Sequence, residues 1–131
     1  MLVAFAGLAL MSTQMPVFQP PRPAVECSSH MTDHGAMENC LEGLLRDAED
    51  ALETAVDAAA AEADASDEDS GGLFDAGGAT ARAQAAWETY RDAECDRRGA
   101  LMFVSNEDRR EMVLDCQISL TRARTRELEA L

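Results

Sequence analysis

The sequence predicts an all-α fold: a three-helix, up-down-up bundle with a long first helix, stapled by two disulfides. Three observations point there. All four prolines (16, 20, 21 and 23) precede residue 24, so nothing later is barred from helix by a missing N–H. Beyond residue 24 the β-branched aliphatics are only Val25, Val56, Val104, Val113 and Ile118, while Ala, Leu, Glu and Arg dominate. Cysteines at 27, 40, 95 and 116 give an even count in a short chain with an apolar leader, the pattern of an exported, disulfide-closed domain.

Leu2 to Met11 is an apolar run too short to span a bilayer but suited to a signal-peptide core. Residues 1–23 therefore read as leader and proline-rich tether, and 24–131 as one helical domain. Glu26 before Cys27 breaks the small-residue pattern of a lipoprotein cysteine, so Cys27 reads as structural and no stable membrane anchor is expected. The first helix is expected from about Asp33 to Ala65. Met37, Leu41, Leu44, Ala48, Ala51, Ala55 and Ala59 recur at three- and four-residue steps, broadened by Leu45, Leu52 and Val56. Its lower half is mostly alanine, which permits close approach but buries little area. Ser66 to Gly78 reads as a glycine-rich break carrying Leu73 and Phe74 as a hydrophobic clip. A second helix should run from about Ala79 to Arg97. The third starts where Ser105 caps and Asp108 takes the capping-box position, with a stripe of Val113, Cys116, Leu120, Ala123 and Leu128 to Leu131.

Four cysteines allow three pairings. Sequential pairing, Cys27 with Cys40 and Cys95 with Cys116, is the most economical, since each bond ties one local excursion to one helix. Loops of this size stabilise by roughly 3 kcal/mol each on the chain-entropy estimate. The second bond has a geometric consequence: helix two must stop partway up helix three. Gly99 to Ser105 would then run down alongside it, pressing Leu101, Met102 and Phe103 into the core. Cys27, His30, His34 and Cys40 offer a competing zinc ligand set, but their spacing matches no common zinc framework. The 67–72 run lacks the Glu that a calcium loop needs at its twelfth position, where Gly78 stands. No cofactor is expected. No serine sits in a nucleophile-elbow context, and the many carboxylates look solvated, so the chain is not read as an enzyme.

The formal charge of −14 is uneven. Residues 24–78 hold 15 acidic residues against Arg46 alone, whereas 79–131 hold 10 against nine arginines. Such a field repels nucleic acid and steers cationic partners to the first half. Asp67, Glu68, Asp69 and Asp75, with Leu73 and Phe74, are the candidate partner-binding residues.

Gln84, Trp87, Tyr90-Arg91-Asp92 and Cys95, followed by Cys116, Thr121 and Arg124, resemble the signature of the LprI-like lysozyme-inhibitor family of small exported bacterial proteins. Met37-Glu38-Asn39-Cys40 resembles that family's approach to its second cysteine. The resemblance implies an all-helical, disulfide-bonded exported domain whose partner is a protein, a cationic lysozyme-like enzyme. The chain departs from the family in its acidic middle, in a glycine-serine step reduced to Gly99, and in lacking the lipoprotein cysteine that some members carry. From the residues alone, Trp87 is expected to be buried against helix three near Cys116 and Leu120, with Arg91 four positions on laid over its indole. Two other functions compete: an envelope structural or assembly factor pairing through its first helix, and a zinc-binding module.

Overall fold

The computed structural model describes residues 21–130, and the expected leader and most of the tether lie outside them. The described residues form four α-helices and no strand: α1 (Pro23–Glu26), α2 (His34–Ser70), α3 (Ala76–Ala100) and α4 (Asn106–Glu129), with a 3₁₀ turn at Ser28–His30. The short α1 is the helix that composition did not reveal. Pro23 opens it, where a missing N–H is harmless. Asp115, buried on α4, accepts the Ala24 N–H at 2.9 Å and an Arg22 guanidinium N–H at 3.3 Å, tying this segment to the far end of the chain.

The first long helix, α2, starts where Asp33 accepts the Ala36 N–H at 3.1 Å. It runs 37 residues, about 55 Å. It therefore continues five residues past the expected end at Ala65. Ser66 to Ser70 contain neither glycine nor proline, and nothing in them stops a helix. The stop comes at Gly71 and Gly72, both at positive φ (66° and 75°). The Gly71 and Gly72 N–H groups close back on Glu68 and Asp67 carbonyls, the paired bonds of a Schellman ending. Gly77 and Gly78, expected in the break, lie inside α3. A Cβ on Gly77 would sit 2.9 Å from Asp64 Oδ1, so glycine lets α3 begin close against α2.

Both disulfides form in the sequential pairing, Cys27–Cys40 and Cys95–Cys116, with Cα atoms 6.0 and 5.5 Å apart. Cys27, Met37, Leu41, Ala48 and Ile118 make the core, flanked by half-buried Cys40, Leu44, Leu45 and Leu114. Lower down, α2 buries Leu52, Ala55 and Ala63, the thin alanine packing its sequence implied.

Two packing expectations fail. On α4 the buried positions are Asp115, Cys116, Ile118, Thr121 and Thr125, whereas Val113, Leu120, Ala123 and Leu128 are only half-buried. Polar side chains at 115, 121 and 125 hid that face from a hydrophobicity reading. They are satisfied where they stand, Thr125 Oγ1 donating to the Thr121 carbonyl at 3.1 Å. The second failure is the loop after α3. Leu101 and Phe103 are exposed, Phe103 to 95%, and Met102 is half-buried, so none of the three fills the core. The reason is Gly99: it is buried, and a Cβ there would lie 2.5 Å from Val113 Cγ2. Without one, α3 packs directly on α4 and continues to Ala100, which leaves only residues 101–105 as the link. Ser105 caps α4 as expected, accepting the Asp108 N–H at 3.0 Å while its hydroxyl donates to the Asp108 carboxylate at 2.7 Å.

Candidate functional site: a signature cluster and an acidic tip

Arg91 is the hub of the signature residues. It lies one turn before Cys95 on α3, and Thr121 lies just over one turn beyond Cys116 on α4, so the disulfide between them fixes their approach. The Arg91 side chain is only 14% exposed. Its Nε donates to Asp92 Oδ1 at 2.9 Å, and its Nη1 faces Thr121 Oγ1 at 3.3 Å and Glu49 Oε1 at 3.5 Å. One guanidinium thereby joins all three long helices. Its Cζ stands 5.5 Å from the Trp87 ring centre, with the Arg124 Cζ at 6.0 Å from the same ring. The expected guanidinium over the indole is present, and a second accompanies it. Arg124 Nε also donates to Gln84 Oε1 at 3.3 Å.

Trp87 itself is half-buried rather than enclosed against α4. It lies under the two guanidinium groups, which explains how an indole is held at a partly wet site. Tyr90 stands exposed on the same helix. The structure thus brings together Gln84, Trp87, Arg91, Thr121 and Arg124, attaches Asp92 through Arg91, and gives Tyr90 no polar contact in the cluster. Glu49 was not foreseen. It belongs to the acidic face of α2, where no pattern separates a partnered carboxylate from solvated ones.

At the α2–α3 turn, Leu73 and Phe74 are 72% and 79% exposed on a chain narrowed by the two glycines. Glu68 and Asp69 are exposed beside them, and Asp75, held at φ 51°, pairs with Arg82 at 3.2 Å. Asp67 has a different task. Its two carboxylate oxygens accept the Ala76 and Gly77 N–H groups at 2.7 and 2.9 Å, capping α3 from α2. The Gly77 and then the Ala76 N–H hold this carboxyl below the usual range.

The zinc reading loses its sulfurs, since Cys27 and Cys40 are bonded to each other. His34 instead meets Glu111 across α2 and α4, Nδ1 to Oε1 at 2.6 Å. That hydrogen bond raises its pKa above 6.5 against a smaller opposing effect of burial, with Glu111, Asp108 and Glu107 charges assisting. The stabilisation is therefore full below pH 6.5 and is lost as pH rises through the folded-state pKa. Melting midpoints across this range should fall on the alkaline side for wild type. For His34→Ala that fall should flatten, and identical curves for the two proteins would contradict the assignment. A 510 Å³ hollow at the α2/α4 seam carries Glu38, Glu42 and Asp96 together with Arg109 and Arg110. Its charges are of both signs, and Arg110 already pairs with Glu38.

No described helix is long and apolar enough to cross a membrane. No curated protein and no solved structure matches the chain. A family model does: that of the lysozyme inhibitor LprI, over residues 27–128, which takes in both disulfides, the signature cluster and the acidic tip. The chain belongs to the LprI lysozyme-inhibitor family.

Proposed function

We propose that this chain is an exported binding protein that inhibits a cationic cell-wall hydrolase of the lysozyme type. The observation that carries the proposal is the family match across residues 27–128. Two disulfides support an oxidising, extracytoplasmic location. Residues 24–131 are read as the working domain, its three long helices as an up-down-up bundle. Glu49 opposite Arg91, Asp64 beside Gly77 and Gln84 beside Arg124 support that reading.

The geometry supports a division of labour. Gln84, Trp87, Arg91 and Arg124 are half-buried and Thr121 is buried, so their role is to hold α2, α3 and α4 in register. Recognition falls to the acidic face of α2 and the 67–75 tip. The uncommitted Glu68 and Asp69 attract, and Leu73 and Phe74 enter the substrate cleft. Attraction between opposite charges accelerates encounter and fades as salt shortens the screening length to about 8 Å at physiological strength.

Binding kinetics on immobilised lysozyme test this assignment. Glu68→Gln with Asp69→Asn should slow association mainly at low salt. Leu73→Ala with Phe74→Ala should speed dissociation at any salt. Asp67 is left intact in both variants because it caps α3. If neither pair of substitutions changes the kinetics, the tip is not the recognition element.

A further inference from the structure

Two hollows on the α2/α3 seam share Val56, Gln84 and Glu88 and so form one groove, with parts of about 290 and 340 Å³. Its apolar lining is Leu52, Val56 and Ala60 from α2 with Ala81 and Ala85 from α3. Ala81 and Ala85 are exposed, and their short side chains leave room for larger ones from outside. The rim is acidic: Glu49, Glu53, Asp64 and Glu88. Arg91 is the one cation in this lining, and it is already engaged by Asp92, Thr121 and Glu49. Among the described residues no arginine lies within ion-pair distance of Glu53, Asp64 or Glu88. From Leu52 to Asp64 the groove follows α2 for about 18 Å, three turns of helix. At Asp64 it meets the acidic tip.

We propose that this groove docks a basic, apolar-faced segment of a protein partner. Aliphatic side chains of that segment fill the space over the three alanines, and its lysines or arginines reach the carboxylate rim, as an amphipathic helix does in a groove. Charge complementarity selects this occupant. A neutral apolar segment would leave Glu53, Asp64 and Glu88 without a cationic partner, and an anionic one would be repelled. The proposal deepens the inhibitor reading and rests on it for the partner's identity: the tip enters the cleft while the groove holds a basic element beside it.

The test uses the oxidised chain and two probes, lysozyme and a synthetic amphipathic helix of leucine and lysine. Ala85→Trp fills the groove from an exposed helical position, and Glu53→Gln with Glu88→Gln removes rim charge without changing shape. Each variant should weaken both probes by about tenfold or more while leaving the melting midpoint near that of wild type. Amide signals of Val56, Ala60, Ala81 and Ala85 should shift when the peptide is titrated in. Leu73→Ala with Phe74→Ala should leave the peptide's affinity unchanged. Unchanged affinity of the Ala85→Trp and rim variants for both probes overturns the groove, even if lysozyme is inhibited. Peptide binding that shifts those amides while lysozyme stays fully active supports the groove and removes the inhibitor reading alone.

Discussion

Reduction of both disulfides is expected to lower the melting midpoint by well over ten degrees. Each bond closes a loop in the unfolded chain and is worth roughly 3 kcal/mol on the chain-entropy estimate. For a domain of this size about 1 kcal/mol moves the midpoint by several degrees. The rest of the packing is thin, since α2 buries alanines at 48, 55 and 63 where a larger core would carry leucines. Cys27 and Cys95 are fully buried, so each bond is also part of the interior it closes. Peptide mapping of oxidised protein should link Cys27 to Cys40 and Cys95 to Cys116, with no free thiol. Four titratable thiols in protein taken from an oxidising compartment would contradict both the pairing and the location.

The second large effect is expected from Ile118→Ala. Ile118 is fully buried and packs in the cluster of Cys27, Met37, Leu41 and Ala48, where α4 meets α2. Truncating a buried isoleucine or leucine costs about 2–5 kcal/mol, more where the site cannot collapse. Neighbours held by a disulfide have little freedom to close the gap. Leu120→Ala provides the comparison. The sequence puts Leu120 on the inward stripe and leaves Ile118 off it, but the structure leaves Leu120 half-buried. Urea denaturation should therefore show Ile118→Ala losing clearly more stability than Leu120→Ala. The reverse order would mean that α4 is rotated from the packing described here.

That reversal shows where the sequence was informative. Helix starts at Asp33 and Ser105 were legible because capping is local chemistry, written in the residue that supplies the oxygen. The disulfide pairing was legible because economy of loop closure singles out one of three choices. The α4 face was not, because its buried positions are polar, and Asp115 and Thr121 are satisfied by partners far along the chain, Ala24 for the first and Arg91 for the second. The end of α2 was missed for another reason: Ser66 to Ser70 contain no helix breaker, and a positive φ is first required at Gly71 and Gly72. Leu101 to Phe103 misled through their hydrophobicity. Their exposure follows from the contact of Gly99 with Val113, which the glycine alone does not announce.

The site divides the same way. Four-residue spacing placed Arg91 over Trp87, and the structure agrees. The second guanidinium, from Arg124, needs the α3/α4 packing before it can be seen. Asp67 looked like one of several surface carboxylates but accepts two N–H groups from α3. Its loss should show as a loosened tip rather than as lost attraction.

The most direct measurement of the central claim is lysozyme activity on a cell-wall suspension, followed by turbidity, with the oxidised chain in large molar excess at low ionic strength. Clearing should slow as more chain is added, and the effect should weaken as salt is added. Leu73→Ala with Phe74→Ala should restore full activity at every salt concentration. Undiminished lysozyme activity at low ionic strength with the wild-type chain in excess would contradict inhibition by this chain.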